Sequence, residues 1–256
     1  MKKQRFTLII AQLLVPTLMF AWGLEGHRII GEIAQQHLTQ KAQKQIIAVL
    51  GGSTIAMEAN WGDFVKSDTA YRACSSWHYN NFEAGLDRAT FDSLAMRQDR
   101  GEAVYRIYDL AERLRQNPND TVALRFLIHI VGDIHCPMHM GRPDDLGGNK
   151  IKIKWFGHDT NLHALWDDKL IDGQKLSYTE YAAHIMRTQS YTYERFESSQ
   201  VIDWAWQTVQ NGEEIYATYD LAARPYNYMF RFKNMWKSSL MLGGLHLAAL
   251  LNDIYK

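Results

Sequence analysis

The sequence predicts a single, mainly α-helical domain with one small β-hairpin. Two observations carry this. Over most of the chain, apolar residues recur three and four positions apart, the spacing that lines one face of a helix. Only one stretch, KIKIKWF at 150–156, alternates with the period of two that a strand needs. The 256 residues suffice for one large core, and neither a low-complexity run nor a repeat of solenoid length divides them.

The first 21 residues read as a removable targeting segment. MKKQR is basic, FTLIIAQLLVPTLMF is apolar, and small Ala21 follows, although Met19 is large for the third position before a cut. The apolar run is short for a membrane span, and no later segment reaches about 18 uninterrupted apolar residues. Cleavage between Ala21 and Trp22 leaves a domain of residues 22–256 and implies a periplasmic or secreted destination. It removes three of the 28 basic residues and none of the 28 acidic ones.

Along the mature chain, Ile29, Ile30, Ile33, Ala34 and Leu38 keep helical spacing. Thr39 then reads as the N-cap of a second helix, KAQKQIIAVL, which stops at Gly51 and Gly52. Ala89 to Asn117 is rich in helix formers, with Leu94, Val104, Ile107, Tyr108, Leu110, Ala111 and Leu114 as core candidates. NPND at 117–120 is a turn. A central apolar helix is expected from about Thr121 to Pro137, where proline cannot donate to the preceding turn. DLGGN at 145–149 is a glycine turn leading into the hairpin. TNLHALWDDKLI starts a helix near Thr160 or Asn161, and Tyr178 to Lys256 reads as three or four more helices.

The formal charge is zero, so the chain lacks the broad basic surface of a duplex-binding protein. Nucleic acid as a substrate stays open, because bound metal ions can supply positive charge locally. Two cysteines, Cys74 and Cys136, allow either one disulfide in an oxidising compartment or two buried thiols.

The segment from Phe126 to Asp167 concentrates the chemistry. It holds five of the ten histidines, His129, His135, His139, His158 and His163, with Asp133 and Asp167 beside them. His129 and Asp133 are four apart on a helix, as are His163 and Asp167, so each pair shares a face. Imidazole and carboxylate are the ligands zinc takes when thiolates do not hold it. Pro137 breaks the helix, so His139 leaves its regular face. Upstream, Asp63 and Lys66 lie one turn apart, which alone describes a surface ion pair. His78 lies between Trp77 and Tyr79, which alone describes a packed histidine. Trp22 and His27 alone read first as a core anchor and a helix-start residue; with a free amine at Trp22, metal ligation is the alternative. His184 and His246 lack a partner motif and read as structural.

Taken in order, WGxxGH, NWxD, WHY, HxxxDxHxPxH, GGN and NLHxxWD form a specific series. It resembles the fungal single-strand-specific zinc nucleases, nuclease S-one and nuclease P-one, whose fold is shared with zinc-dependent bacterial phospholipase C. Motifs carry the resemblance from Trp22 to about Asp167; beyond that only helical character does. The resemblance implies three zinc ions in a cleft. One would be held by Asp63, His78, His129 and Asp133. A second would take the Trp22 amine and carbonyl, His27 and a bridging Asp133. The third would take His139, His163 and Asp167, with water. His135 has no ligand counterpart in that family and is expected to support or pack. Because His78 and Asp133 would share an ion, the map also brings Cys74 and Cys136 together and predicts a disulfide between them.

The implied reaction is hydrolysis of single-stranded DNA and RNA to 5′-mononucleotides, with 3′-nucleotidase activity and no stable protein partner. Zinc lowers the pKa of bound water to about 7 and stabilises charge developing on the phosphate. Asp63 would orient the nucleophile, and Lys66 would steady the transition state. Asn149 matches a position that contacts the scissile phosphate. Tyr79 matches a base-stacking aromatic. Asn81 stands where the fungal enzymes carry an acidic residue that bonds the base, so base preference does not carry over. Phospholipase C is a competing reading, but its last metal carboxylate is typically Glu where this chain has Asp167. A non-catalytic zinc-binding protein is another, but storage needs neither Lys66 nor Asn149.

Overall fold

The computed structural model describes residues 22–99, 101–191, 197 and 200–256; the expected leader, 1–21, lies outside the described residues. The chain is mainly helical, as its periodicity requires. Helix α1 is Leu24–Gln36 and α2 is Gln40–Val49. The Ala42 N–H donates to Thr39 Oγ1, so Thr39 caps α2 as its sequence position predicts, an interaction that typically stabilises by about 1 kcal/mol. Gly51 and Gly52 end that segment at φ 66° and 92°, left-handed conformations that favour glycine. Short helices α3 (Ile55–Glu58) and α4 (Trp61–Phe64) follow, then a 3₁₀ run Thr69–His78.

The stretch of helix formers after Ala89 divides into α5 (Arg88–Leu94) and α6 (Ala103–Gln116). Helix α7 (Thr121–Asp133) is capped by Asp120, which accepts from the Ala123 N–H. Ten of its thirteen residues are buried, which makes it the central rod of the fold. It ends at Asp133, four residues short of the expected break. The residue before a proline is pushed out of helical conformation, and Cys136 is extended at φ −88°, ψ 118°. Pro137 then opens a 3₁₀ turn, Pro137–Met140.

The hairpin pairs β1 (Lys152–Trp155) with β2 (His158–Asn161) in antiparallel register, Lys152 opposite Asn161 and Trp155 opposite His158. Asn161 caps the next helix by accepting from the Ala164 N–H. That helix starts as α8 (Leu162–Ala164), widens into a π-helical turn at Leu165–Lys169, and resumes as α9 (Leu170–Asp172). Helices α10 (Tyr178–Thr188), α11 (Gln200–Ala217) and α12 (Pro225–Ile254) complete the fold. Helix α12 packs along α1 because Gly244 has no side chain: a Cβ there would stand 2.5 Å from Ile33 Cβ. Among the described residues, no helix is long and apolar enough to cross a membrane.

Candidate metal centre

The site lies where α1, α4, α7, the end of the 3₁₀ run at His78, the Pro137–Met140 turn and the α8–π segment meet. Each contributes one or two polar side chains to an otherwise apolar core. His27, Asp63, His78, His129, Asp133, His139, His163 and Asp167 are all buried, none more than 5 % exposed. Two glycines make room for the rings. A Cβ at Gly62 would come 2.6 Å from His129 Cδ2, and one at Gly132 would come 2.7 Å from His27 Nδ1.

Asp133 is the hub. Its Oδ1 lies 3.2 Å from His27 Nε2, and its Oδ2 lies 3.0 Å from His78 Nδ1 and 3.3 Å from His129 Nε2. His27 stacks on His129 with ring centroids 4.1 Å apart. Asp63 Oδ1 stands 3.5 Å from His129 Nε2 and 3.9 Å from His78 Nδ1, and the Lys66 ammonium donates to it at 2.6 Å. Around Asp167, His139 Nε2 lies 3.5 Å from Oδ1 and His163 Nε2 lies 3.2 Å from Oδ2. Among the described residues, three groups bring ligand atoms within 4.8 Å of one another: His27, His129 and Asp133; Asp63, His78 and His129; Cys136, His139 and Asp167.

These residues fit metal ions on the evidence of their own hydrogen bonds. His129, His139 and His163 each spend Nδ1 on a backbone carbonyl, at Ala59 (2.7 Å), His78 (2.6 Å) and Gly147 (2.8 Å). That fixes the ring and turns each Nε2 towards the cluster, where its lone pair is available to a metal once any proton on it is shed. Buried atoms without a hydrogen-bond partner include Nε2 of His27, His78, His139 and His163 and Oδ1 of Asp133. Orphaned buried polar atoms are costly, and cations placed among them satisfy donors and charge together.

The electrostatics agree. Burial alone would raise Asp63, Asp133 and Asp167, yet neighbouring imidazoles hold all three below the usual carboxylate range. Burial lowers His78 to about 4 and lowers His27 as well. Burial would also lower His139, but Asp167 and Asp133 outweigh it and push it up to about 9. Asp133 also ends a helix, where the carbonyl dipoles disfavour negative charge. Three buried carboxylates with Lys66 as their ion-pairing lysine make a site built for positive charge from outside the chain.

Other expected positions fall around the cluster. Trp22 is fully buried, and the Gly23 N–H donates to the Asp167 carbonyl at 2.7 Å, which seats this segment against the π-turn. Tyr79 is half-buried and follows His78 directly, with Gly101 (φ 109°) against its ring: a Cβ there would come 2.7 Å from Tyr79 Cδ2. Asn81 lines a cavity of about 150 Å³ with Asn80, Phe82, Glu83, Leu94, Arg97 and Asp99. Asn149 donates to Leu146 O inside the glycine turn whose Gly147 carbonyl holds His163.

One expectation changes. Cys74 and Cys136 are free thiols, not a disulfide. Cys74 is half-buried with Arg106, Glu102 and Arg113 as its charged neighbours. Cys136 is wholly buried and its Sγ faces Asp167 Oδ1 at 3.5 Å, so the two occupy different surroundings. His246 packs as the structural residue expected: its Nδ1 lies 2.7 Å from His135 Nε2, and Trp204 stacks on it at 4.2 Å. His135 is therefore part of a separate packed pair. The group that sequence reasoning missed is Cys136, although its position three residues before His139 is a spacing common among ligands.

The sequence comparisons agree with this geometry. A profile described as S1/P1 Nuclease matches residues 22–256. The chain belongs to the S1/P1 nuclease family. Endonuclease 2 of Arabidopsis thaliana is 29 % identical, over 91 % of this chain and 90 % of its own length. Nuclease P1 of Penicillium citrinum is 29 % identical over 72 % of this chain and 71 % of its own. Nuclease S1 of Aspergillus oryzae is 28 % identical over 72 % and 68 %. This family member is a nuclease, a hydrolase whose buried histidines and aspartates form metal-binding groups.

Proposed function

We propose that this nuclease acts outside the cytoplasm with three zinc ions, hydrolysing single-stranded DNA and RNA to 5′-mononucleotides and removing 3′-phosphates. The observation that carries the reading is the set of Nε2 atoms turned inward by Nδ1 bonds to backbone carbonyls. The ligands are assigned as Trp22, His27, Asp63, His78, His129, Asp133, His139, His163 and Asp167. Removal of residues 1–21 frees the Trp22 amine, and the family match begins at Trp22.

Zinc, when bound, supplies water that ionises near pH 7 and neutralises phosphate charge. The chain supplies position. Asp63 accepts from Lys66 and is held ionised, ready to take a hydrogen bond from an attacking water. Lys66, 19 % exposed, reaches both that carboxylate and solvent, where a phosphate arrives. Tyr79 offers a ring face to a base, Asn81 an amide to its edge, and Asn149 an amide near the phosphate. Burial of the imidazoles excludes bulk water from the ligand atoms.

Metal content and activity measured on one purified mature sample test this. About three zincs per chain, with nucleotide release from single-stranded DNA lost on chelation and restored by zinc, is the expected result. Fewer than two zincs would overturn the ligand assignment. Three zincs without nucleotide release would overturn the substrate and move it to another phosphoester.

A further inference from the structure

Cys136 is a member of the cluster that the proposed reaction leaves unused. Its Sγ lies 3.5 Å from Asp167 Oδ1 in a wholly buried setting. His139 Nε2, buried and without a hydrogen-bond partner, lies 3.5 Å from the same oxygen. The ligand atoms of Cys136, His139 and Asp167 fall within 4.8 Å of one another. Zinc binds nitrogen and oxygen at about 2.0–2.2 Å and sulfur at about 2.3 Å, so neighbouring ligands of one tetrahedral ion stand roughly 3.3–3.8 Å apart. Both measured edges have that length.

We infer that Cys136 is a thiolate ligand of the ion at Asp167, beside His139 and Asp167, with His163 on the second carboxylate oxygen. The thiol proton leaves to solvent when the ion binds. The inference rests on the proposed metal cluster. It makes this site softer than the other two groups, whose donors are nitrogen and oxygen alone, and so more selective for thiophilic ions such as cadmium.

The test is the mature protein stripped of metal and reloaded with Co²⁺ alone. Visible d–d bands report cobalt in the cluster, and a near-ultraviolet sulfur-to-cobalt charge-transfer band reports thiolate ligation. The expected result is both signals in the unaltered protein. Cys136→Ser should then lose the charge-transfer band and keep the d–d bands, and Cys74→Ser should keep both. Unaltered protein with d–d bands and no charge-transfer band overturns the inference and leaves the metal cluster standing. A charge-transfer band that persists in Cys136→Ser also overturns it. Absence of d–d bands overturns the cluster itself. Should Cys136→Ser fail to fold, cadmium NMR of the unaltered protein decides alone: one resonance in the sulfur-shifted range supports the inference, and none overturns it.

Discussion

His139 donates from Nδ1 to the carbonyl oxygen of His78, 2.6 Å away. One backbone link thus joins two imidazoles from different metal groups, across 61 residues of sequence. It also aims His139 Nε2 at Asp167. Without metal, His139 is pushed up to about 9 by Asp167 and Asp133 against the effect of burial, so at pH 7 it holds a proton that a ligand must shed. His139 sheds this proton and Cys136, whose thiol burial pushes up further, sheds another when the ion binds, so metal affinity at this site is expected to rise by more than tenfold per pH unit from 7 to about 9 and to keep rising beyond it. Calorimetric titration of stripped protein with zinc, in two buffers of different ionisation heat, measures the protons released. No proton release at pH 7 would count against this assignment.

The metal-free chain should be less stable on both sides of neutrality. His139 is raised, so its contribution is fully present below about pH 6.5 and is lost as pH rises through about 9. His78 is lowered to about 4, so its contribution is present above about pH 6.5 and fades as pH falls towards 4. Thermal unfolding of chelated protein from pH 5 to 10 should give a maximum between these windows, and metal-loaded protein a flatter profile. A single monotonic trend would contradict the balance described for these two imidazoles.

Gly62→Ala tests whether helix spacing sets the ligand ring. The new Cβ would stand 2.6 Å from His129 Cδ2 and 2.7 Å from Cγ, so α4 or the ring must shift. Overpacking of this kind typically costs about 1–3 kcal/mol. Both a lower melting temperature and a lower metal content are expected. Loss of stability with full metal occupancy would mean that the backbone yields and the ring stays.

Part of this centre was legible in the sequence, for identifiable reasons. His129 with Asp133, and His163 with Asp167, announce themselves by a spacing of four on helices. Asp63, His78 and His27 are distant in sequence, and only resemblance to a family collected them. The π-turn around Asp167 and the early end of α7 at Asp133 follow from tertiary packing and from the extended residue before Pro137, which periodicity does not report. Cys136 was misread because closeness along the chain to Asp133 says nothing of side-chain direction. His246 gave no signal because its partner, His135, lies 111 residues away.

Substitution of Lys66 tests whether catalysis and metal binding separate. Its ammonium touches Asp63 at 2.6 Å, yet 19 % of its side chain reaches solvent. Lys66→Met should keep full metal content and lower kcat on single-stranded DNA on the order of 10²–10³-fold, the usual loss for one transition-state donor. Lys66→Arg should recover part of it. Retention of full kcat in Lys66→Met would reduce the lysine to a surface partner of Asp63.

Tyr79 should govern how firmly a strand is held rather than how fast it is cut. The ring follows His78 directly in sequence, and Gly101 leaves room beside it, since a Cβ there would come 2.7 Å from Tyr79 Cδ2. Stacking one base on an aromatic contributes about 1–3 kcal/mol. Tyr79→Ala is therefore expected to raise KM roughly 10- to 100-fold with metal content unchanged, while Tyr79→Phe, which keeps the ring face, stays near the unaltered value. A Cβ at Gly101 would meet the Tyr79 carbonyl before its ring, at a φ of 109°, so Gly101→Ala should displace the Tyr79 backbone and raise KM together with a loss of stability. Steady-state kinetics on short oligonucleotides, with metal analysis of each variant, separates the outcomes. A fall in kcat at unchanged KM in Tyr79→Ala would mean that the ring supports His78 instead of the base.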